Sequence, residues 1–404
     1  MDVARCFIHR SAMGKATIVA WGSYDRSKPR VRLLLSALRK SKALAGELEI
    51  EAWRGVKDKS QMGRWRLLKE AALLLGAFPA ATLKLARLPK HSAILLPYPA
   101  IPGIFFAALI ARLRGFTLIM DAFLPLHDTI VRDRKMYKPG SLLARLVWLT
   151  EKAALRLADI ILVDTDQHGE FLASEFGLDR DMFLTILVGA EPLFQEPSDR
   201  YPKVRTPGDK PLVLFYGQLI PLHGMDTILQ AARITADDAF HWLIVGQGQD
   251  EALLHAALDG GAMRNVTWER WIEYEQLPGL IRSADLCLGI FGSSGKAGRV
   301  IPNKMFQILS AGKPILTRDS PAVKALASDY PDTVLTVPAA DPQALAEAVR
   351  RILTGGIGMR PLPGAALTAL QPDEGVKTLL ARLAAGKCQT CPRRDQFGRS
   401  DDHA

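Results

Sequence analysis

At 404 residues the chain is too long for one ordinary core and fits two α/β domains. Hydrophobic residues at 48% and charged residues at 23% exclude a disordered chain. The net charge of +10 is lopsided, because residues 1–150 hold 26 Lys and Arg against 10 Asp and Glu and the remainder is acidic by 6. A basic N-terminal half suits an anionic partner such as lipid headgroups, a lipid phosphate or nucleic acid; the alternative is ordinary solubilising surface charge. Nucleic acid is set aside, because no motif for binding it accompanies the charge.

In chain order, MDVARCFIHRSAMGK is charged and lacks the apolar stretch of a signal peptide. ATIVAWG is a strand ending at Gly22, PRVRLLLSALRKSKAL a helix and ELEIEAW an alternating strand. RWRLLKEAALLLGAFPAATLKLARL is helical on both sides of Pro79 and interleaves Leu and Ala with Arg and Lys. Then come the strand AILLPYP, the helix IPGIFFAALIARLRG, the strand FTLIMDAF, the helix SLLARLVWLTEKAALRLA, the strand DIILVDT, the helix QHGEFLASEFG and the closing strand MFLTILVGA. Pro97, Pro99, Pro102, Arg112 and Arg114 break the most apolar stretch. No segment reaches the ~20 residues a bilayer span requires, and a cytoplasmic protein is expected.

EPSDRYPKVRTPGDKP is the linker candidate. The alternation restarts with the strands PLVLFYG, FHWLIVG, NVTWERW, DLCLGIF, KPILTR and DTVLTV, separated by helices over MDTILQAARIT, DEALLHAAL, QLPGLIRSA, NKMFQILSAG and PAVKALAS and followed by PQALAEAVRRIL. The expected fold is therefore α/β, with two Rossmann-like doubly wound domains facing across a cleft. Boundaries are expected at 1–195, a linker at 196–210, a second domain at 211–355, and a late helix with a disordered tail at 356–404. Cys388 and Cys391 form one CxxC without a second pair, too few ligands for zinc.

In the second half, Gly217 ends a strand and His223 and Gly224 open a helix, where free backbone N–H groups bind anions. Gly246 and Gly248 repeat the arrangement. The segment GIFGSSGKAGRVIPNKMFQILSAGKPIL combines Gly292, Gly295 and Gly298 with Lys296, Arg299 and Lys304 at a helix start. Flexible backbone, helix N-terminus and cations together suit a diphosphate; the alternative is a solvated basic loop over a helix cap.

These residues resemble the family-4 glycosyltransferases, retaining enzymes of GT-B fold, over about residues 16–355 and most strongly over 211–325. The family's Gly-Arg, four residues, Lys-Gly pattern lies over Gly217, Gln218, His223 and Gly224, and its Gly-x-Gly over Gly246 and Gly248. SADLCLGIF and SAGKPIL carry two further family phrases, and a subgroup with Pro-x-Lys before the last donor-site helix matches Pro302, Asn303 and Lys304. The chain departs from the pattern where Gln218 and His223 replace the phosphate-binding Arg and Lys, and where Arg299 and Gln307 replace two glutamates. The resemblance implies that Gln307 bonds the donor ribose and that Lys296, Arg299 and Lys304 supply the charge. It also implies a polar group near the reacting sugar at the strand end IMDAFLPLHDTIVRDRK, where Asp121, His127 and Asp128 are the catalytic candidates. Gly22 would approach the donor or the acceptor.

The implied activity is transfer, with retention, from a UDP- or GDP-sugar to a lipid-linked or cell-surface glycan acceptor, as in polysaccharide biosynthesis. No tightly bound cofactor or metal is implied; the DTD at Asp164–Asp166 ends an N-domain strand. The basic N-terminal half and the segment 64–88 suggest peripheral contact with an anionic membrane, on the inner face. A silent donor-binding subunit and a GT-B-fold nucleotide-sugar epimerase or hydrolase are the alternatives.

Overall fold

The computed structural model describes residues 7–8, 17–50, 76–89, 92–196, 207–261, 263–355, 358 and 360–386. The first sheet contains β1 (Phe7–Ile8), β2 (Ile18–Gly22), β3 (Leu44–Glu49), β4 (Ala93–Leu96), β5 (Thr117–Asp121), β6 (Ile160–Val163) and β7 (Phe183–Thr185) in the order β1-β3-β2-β4-β5-β6-β7. Only β1 runs antiparallel. The second sheet is parallel throughout, in the order β10-β9-β8-β11-β12-β13. Its strands are β8 (Leu212–Tyr216), β9 (His241–Val245), β10 (Val266–Glu269), β11 (Leu286–Leu288), β12 (Ile315–Arg318) and β13 (Val334–Val337). Strands β2, β8 and β9 are buried along their whole length, which is why they read as apolar runs rather than alternations.

The expected two-domain α/β architecture is therefore present, and in each sheet the strand order reverses beside a central strand. From β8 the chain winds outward through β9 and β10, then returns to the other side of β8 with β11. Such a reversal leaves a crevice at the carboxyl ends of the two diverging strands. In the second sheet that crevice lies between β8 and β11, and in the first between β2 and β4.

Several elements differ from expectation. The first helix ends at Lys40, because Lys42 adopts a left-handed φ of 59°, and β3 then starts at Leu44, ahead of the expected ELEIEAW. MFLTILVGA forms only three residues of strand. Beyond it Val188, Ala190 and Phe194 leave the first sheet and enter the core of the second, where Leu33 and Phe123 join them. The late helix Asp373–Gly386 packs back on the first sheet, burying Val376, Leu379 and Leu383 against Ile18, Val31 and Leu34. Residues 64–75 of the segment 64–88 and most of the linker, together with the expected disordered tail and CxxC, fall outside the described residues; residues 76–85 are helical through Pro79.

Gly246 and Gly248 owe their presence to the protein's own backbone. Gly246 has φ +148°, and a Cβ there would lie 1.9 Å from the carbonyl oxygen of Gly217; one on Gly248 would meet that of Leu219 at 2.5 Å. The two turns are joined by hydrogen bonds from Gly217 N to Val245 O (2.9 Å) and Leu219 N to Gln247 O (3.0 Å). Gly246→Ala should destabilise the fold by roughly 2–4 kcal/mol in urea unfolding, because backbone rather than a flexible side chain must give way.

Candidate active site

The ends of β8 and β11 converge on Lys304. Its helix, Asn303–Ser310, starts after Pro302 with no side-chain cap and no acidic residue in its first turn, and Asn303 at that start is half-buried. Lys304 is itself buried, with Nζ donating weakly to Gly289 O at 3.4 Å and lying 3.7 Å from the Phe215 ring centroid. A Cβ on Gly217 would stand 3.2 Å from Nζ, so glycine keeps that side of the amine open. Among the described residues no carboxylate pairs with this amine, and burial pushes it well below the ordinary lysine range.

His223 lies against the same turn. Its Nδ1 donates to the carbonyl oxygen of Gln218, and burial with Lys304 alongside holds the imidazole well below its usual range. The ring is therefore neutral near pH 7 and does not replace a fixed cation; Gln218 is exposed. Gly224, at φ +67°, lets the turn Pro221–His223 pack on the loop at Phe291 and Gly292, with Phe291 N donating to His223 O at 3.0 Å. Gln307 spends its amide inside the protein: its oxygen accepts from Tyr216 Oη at 2.9 Å and its nitrogen donates to Tyr274 Oη at 3.0 Å. Neither tyrosine was foreseen, although both are spaced to flank the amide only after folding.

The other two cations are engaged across the cleft. Arg299 Nη2 meets Asp128 Oδ2 at 2.9 Å and its guanidinium stacks 3.7 Å above Phe171, while Thr165 Oγ1 donates to the Arg299 carbonyl. Lys296 Nζ donates to Thr129 Oγ1 at 2.8 Å and lies 3.9 Å from Asp133, and its pKa is lowered by burial against the pull of Asp133 and Asp128. Part of the segment read as a loop is the short helix Gly295–Arg299, capped by Ser294. Between the domains, Asp128, Arg132, Asp133, Ser293, Ser294 and Lys296 line a cavity of about 440 Å³. Among the described residues Asp128 Oδ1 has no hydrogen-bond partner.

Of the three catalytic candidates, Asp121 needs correction. Its side chain is 0% exposed and its Oδ1 accepts from Arg30 Nη2 at 2.9 Å, so it braces β5 against the first helix and presents nothing to a reacting sugar. His127 is half-buried beside the cleft, and Asp128 begins an irregular helical turn, Asp128–Asp133. That turn is held by Glu151, unforeseen in the sequence, whose carboxylate accepts from the N–H groups of Leu126 (2.6 Å) and His127 (2.8 Å). Burial pushes Glu151 up to about 7, with those two N–H bonds pulling the other way. Gly22, with φ +115°, has open space where a Cβ would be, at the end of β2. Asp164 and Asp166 are both occupied, by His168 at 2.6 Å and by Arg180 at 3.0 Å respectively.

Residues 210–355, which carry the second sheet and its helices, match the family described as Glycosyl transferases group 1. The chain is 26% identical over 149 residues to "Putative colanic acid biosynthesis glycosyl transferase WcaI" of Escherichia coli (strain K12). That match covers 36% of this chain and 36% of the relative, little more than a third of its length. Among solved structures, the α,α-trehalose-phosphate synthase (UDP-forming) from Burkholderia vietnamiensis aligns with TM-score 0.63 at 12% identity, over 92% of this chain and all of the other. Anabaena Alr3699/HepE in complex with UDP-glucose aligns with TM-score 0.58 at 11% identity, over 93% of this chain and 100% of that one. At such identities these likenesses concern the fold, the two-domain GT-B arrangement.

Replacing Asp121 by Ala strands the Arg30 guanidinium in the core. The expected loss is about 3–5 kcal/mol of stability by urea unfolding, with nucleotide affinity of the remaining folded protein unchanged.

Proposed function

We propose that this protein is a glycosyltransferase that takes a sugar from a nucleotide-diphosphate sugar, with the diphosphate held at the carboxyl ends of β8 and β11. The observation that carries this reading is the Lys304 amine, buried at the crevice without a carboxylate, beside Gly217 and at an uncapped helix start. A buried amine with no counter-anion holds its proton more weakly, and an arriving phosphate strengthens that hold. Backbone N–H groups at Asn303 and Lys304 add a second source of positive potential for the leaving diphosphate.

In the reaction, the bond between the anomeric carbon and the diphosphate oxygen breaks while an acceptor hydroxyl oxygen bonds to that carbon and releases its proton. Asp128 and His127 are the groups at the domain interface suited to orient that hydroxyl, and Asp128 Oδ1 has a free lone pair for it. Lys296 and Arg299 would then serve the cleft in two ways, closing it through Asp128, Thr129 and Asp133 and turning toward the donor when it arrives. A UDP-sugar is the first donor class to test, because the Anabaena Alr3699/HepE structure of similar fold is a complex with UDP-glucose. Retention of configuration and a lipid-linked or cell-surface glycan acceptor are the finer parts of the proposal, the latter in keeping with the colanic acid role in the name of the Escherichia coli relative.

A second reading, donor binding without turnover, draws on the enclosure of Asp121 and on Arg299 and Gln307 standing where the resemblance calls for glutamates. Incubation with UDP-, GDP- and dTDP-sugars and an acceptor panel separates the two. Product formation supports transfer; tight binding without released nucleotide diphosphate supports the silent subunit; donor conversion without acceptor indicates an epimerase or hydrolase.

Lys304→Met should weaken UDP binding by roughly 10- to 100-fold in calorimetry, the size of one charge-assisted contact of about 1.5–3 kcal/mol. Its stability in urea should match or exceed the parent, since an isosteric apolar chain replaces a buried amine. An unchanged affinity would remove the basis of the proposal. In the parent, calorimetry in buffers of different ionisation enthalpy should register proton uptake on UDP binding at pH values between the lowered lysine pKa of the free protein and the raised one of the complex. The sign follows from a lysine lowered in the free protein and raised in the complex, and the uptake should vanish in Lys304→Met.

A further inference from the structure

The helices Gly103–Arg114 and Leu142–Leu157 pack side by side against the first sheet, yet each turns an apolar stripe outward. Phe105, Leu109 and Leu113 recur at helical spacing on one, with Leu113 73% exposed; Leu142, Leu146 and Leu149 do so on the other, with Leu142 87% exposed. A soluble surface seldom gathers this many large apolar side chains on one face. The charge around them is equally one-sided. Over residues 103–114 and 141–158 the cations are Arg112, Arg114, Arg145, Lys152 and Arg156, and the sole carboxylate is Glu151, which is buried. A groove of about 410 Å³ opens between the two helices, lined by Ala108, Ala111 and Leu157 and by the guanidinium-bearing Arg112 and Arg156. Asp159 also lines it, with its carboxylate engaged by the N–H of Leu118 at 2.8 Å.

We propose that this face is a docking surface for an anionic phospholipid bilayer, the leucines entering the interface and the arginines pairing with lipid phosphates. Charge complementarity selects this occupant: against the exposed Arg112, Arg145 and Arg156 this face sets one exposed carboxylate, Asp159, already engaged by the N–H of Leu118, so a second copy of the same face would bring mostly like charge. No helix among the described residues is long and apolar enough to cross a membrane, so the contact is lateral. In the chain, Lys135, which lines the cavity between the domains, and Met136, which is 63% exposed, stand a few residues ahead of the second helix. A membrane-borne acceptor would therefore enter at the edge nearest Asp128, a consequence that rests on the glycosyltransferase reading, whereas bilayer binding itself does not. The sequence points elsewhere for membrane contact, to residues 64–88, because amphipathicity is visible in a string of residues and exposure is not.

Full-length protein is sedimented with vesicles of phosphatidylcholine alone and of phosphatidylcholine mixed with phosphatidylglycerol, in the absence of nucleotide. The parent should partition onto the anionic vesicles, release with added salt and stay in solution with the neutral ones. Two variants are compared, Leu109→Ser with Leu113→Ser and Leu146→Ser, and Arg112→Gln with Arg145→Gln and Arg156→Gln. Each should bind at least about ten-fold more weakly, since both an apolar and an electrostatic signal are needed for stable attachment. Thermal unfolding of both variants should match the parent, because every substituted side chain is exposed. Failure of the parent to bind anionic vesicles, or retention of binding by both variants, overturns the proposal. So does light scattering that reveals a dimer dissociated by the leucine substitutions, which would assign the face to a second copy.

Discussion

Lys304 lies where the second sheet changes direction. Because β8 hydrogen-bonds to β9 on one side and to β11 on the other, the chains leaving β8 and β11 diverge and open a crevice that side chains from neither strand fill. The helix after Pro302 delivers the lysine into that opening, above Phe215 and beside Gly217. Placing an amine there without a counter-ion is unfavourable for the free protein, and the sheet, the aromatic ring and the glycine turn all enforce it. In the proposed reading that cost is recovered when the donor diphosphate arrives, which would link the topology to the chemistry.

The remaining charges are arranged by a different principle. Arg299 and Lys296 reach across to Asp128, Thr129 and Asp133, and the turn that carries those three residues is held by the buried Glu151. The cations therefore join the domains as well as lining the cavity. A second connection runs from Arg32 to Glu191 at 2.5 Å, with Arg32 also lying over the Tyr274 ring, and continues from Tyr274 through Gln307 to Tyr216. Gln307 thereby couples the helix Asn303–Ser310 to the domain interface, a structural duty that would compete with the proposed bond to a ribose.

Much of the fold was legible because the periodicities are clean. The helix over PQALAEAVRRIL was expected with the bounds observed, Pro342–Leu353, since Asp341 caps it and the apolar residues keep one face. The buried strands LVLFY and HWLIV announced themselves as apolar runs. The glycine positions were legible too, but their reasons were not: Gly246 faces the carbonyl of Gly217, a contact between residues 29 apart that no local pattern reports. Asp121 shows the same limit. Its strand-end position suggested chemistry, and Arg30, 91 residues away, claims it.

The sequence by itself determined the alternation of strands and helices, the two doubly wound halves and the cluster of glycines and cations in front of Asn303, because each depends on neighbours within a few residues. Only the tertiary structure decided which cations pair with carboxylates and which one stays alone, that Asp121 is enclosed, and that the leucines of Gly103–Arg114 and Leu142–Leu157 face outward. Burial and ion pairing are set by groups distant in the chain, and their distances exist only once the two sheets and their helices have packed.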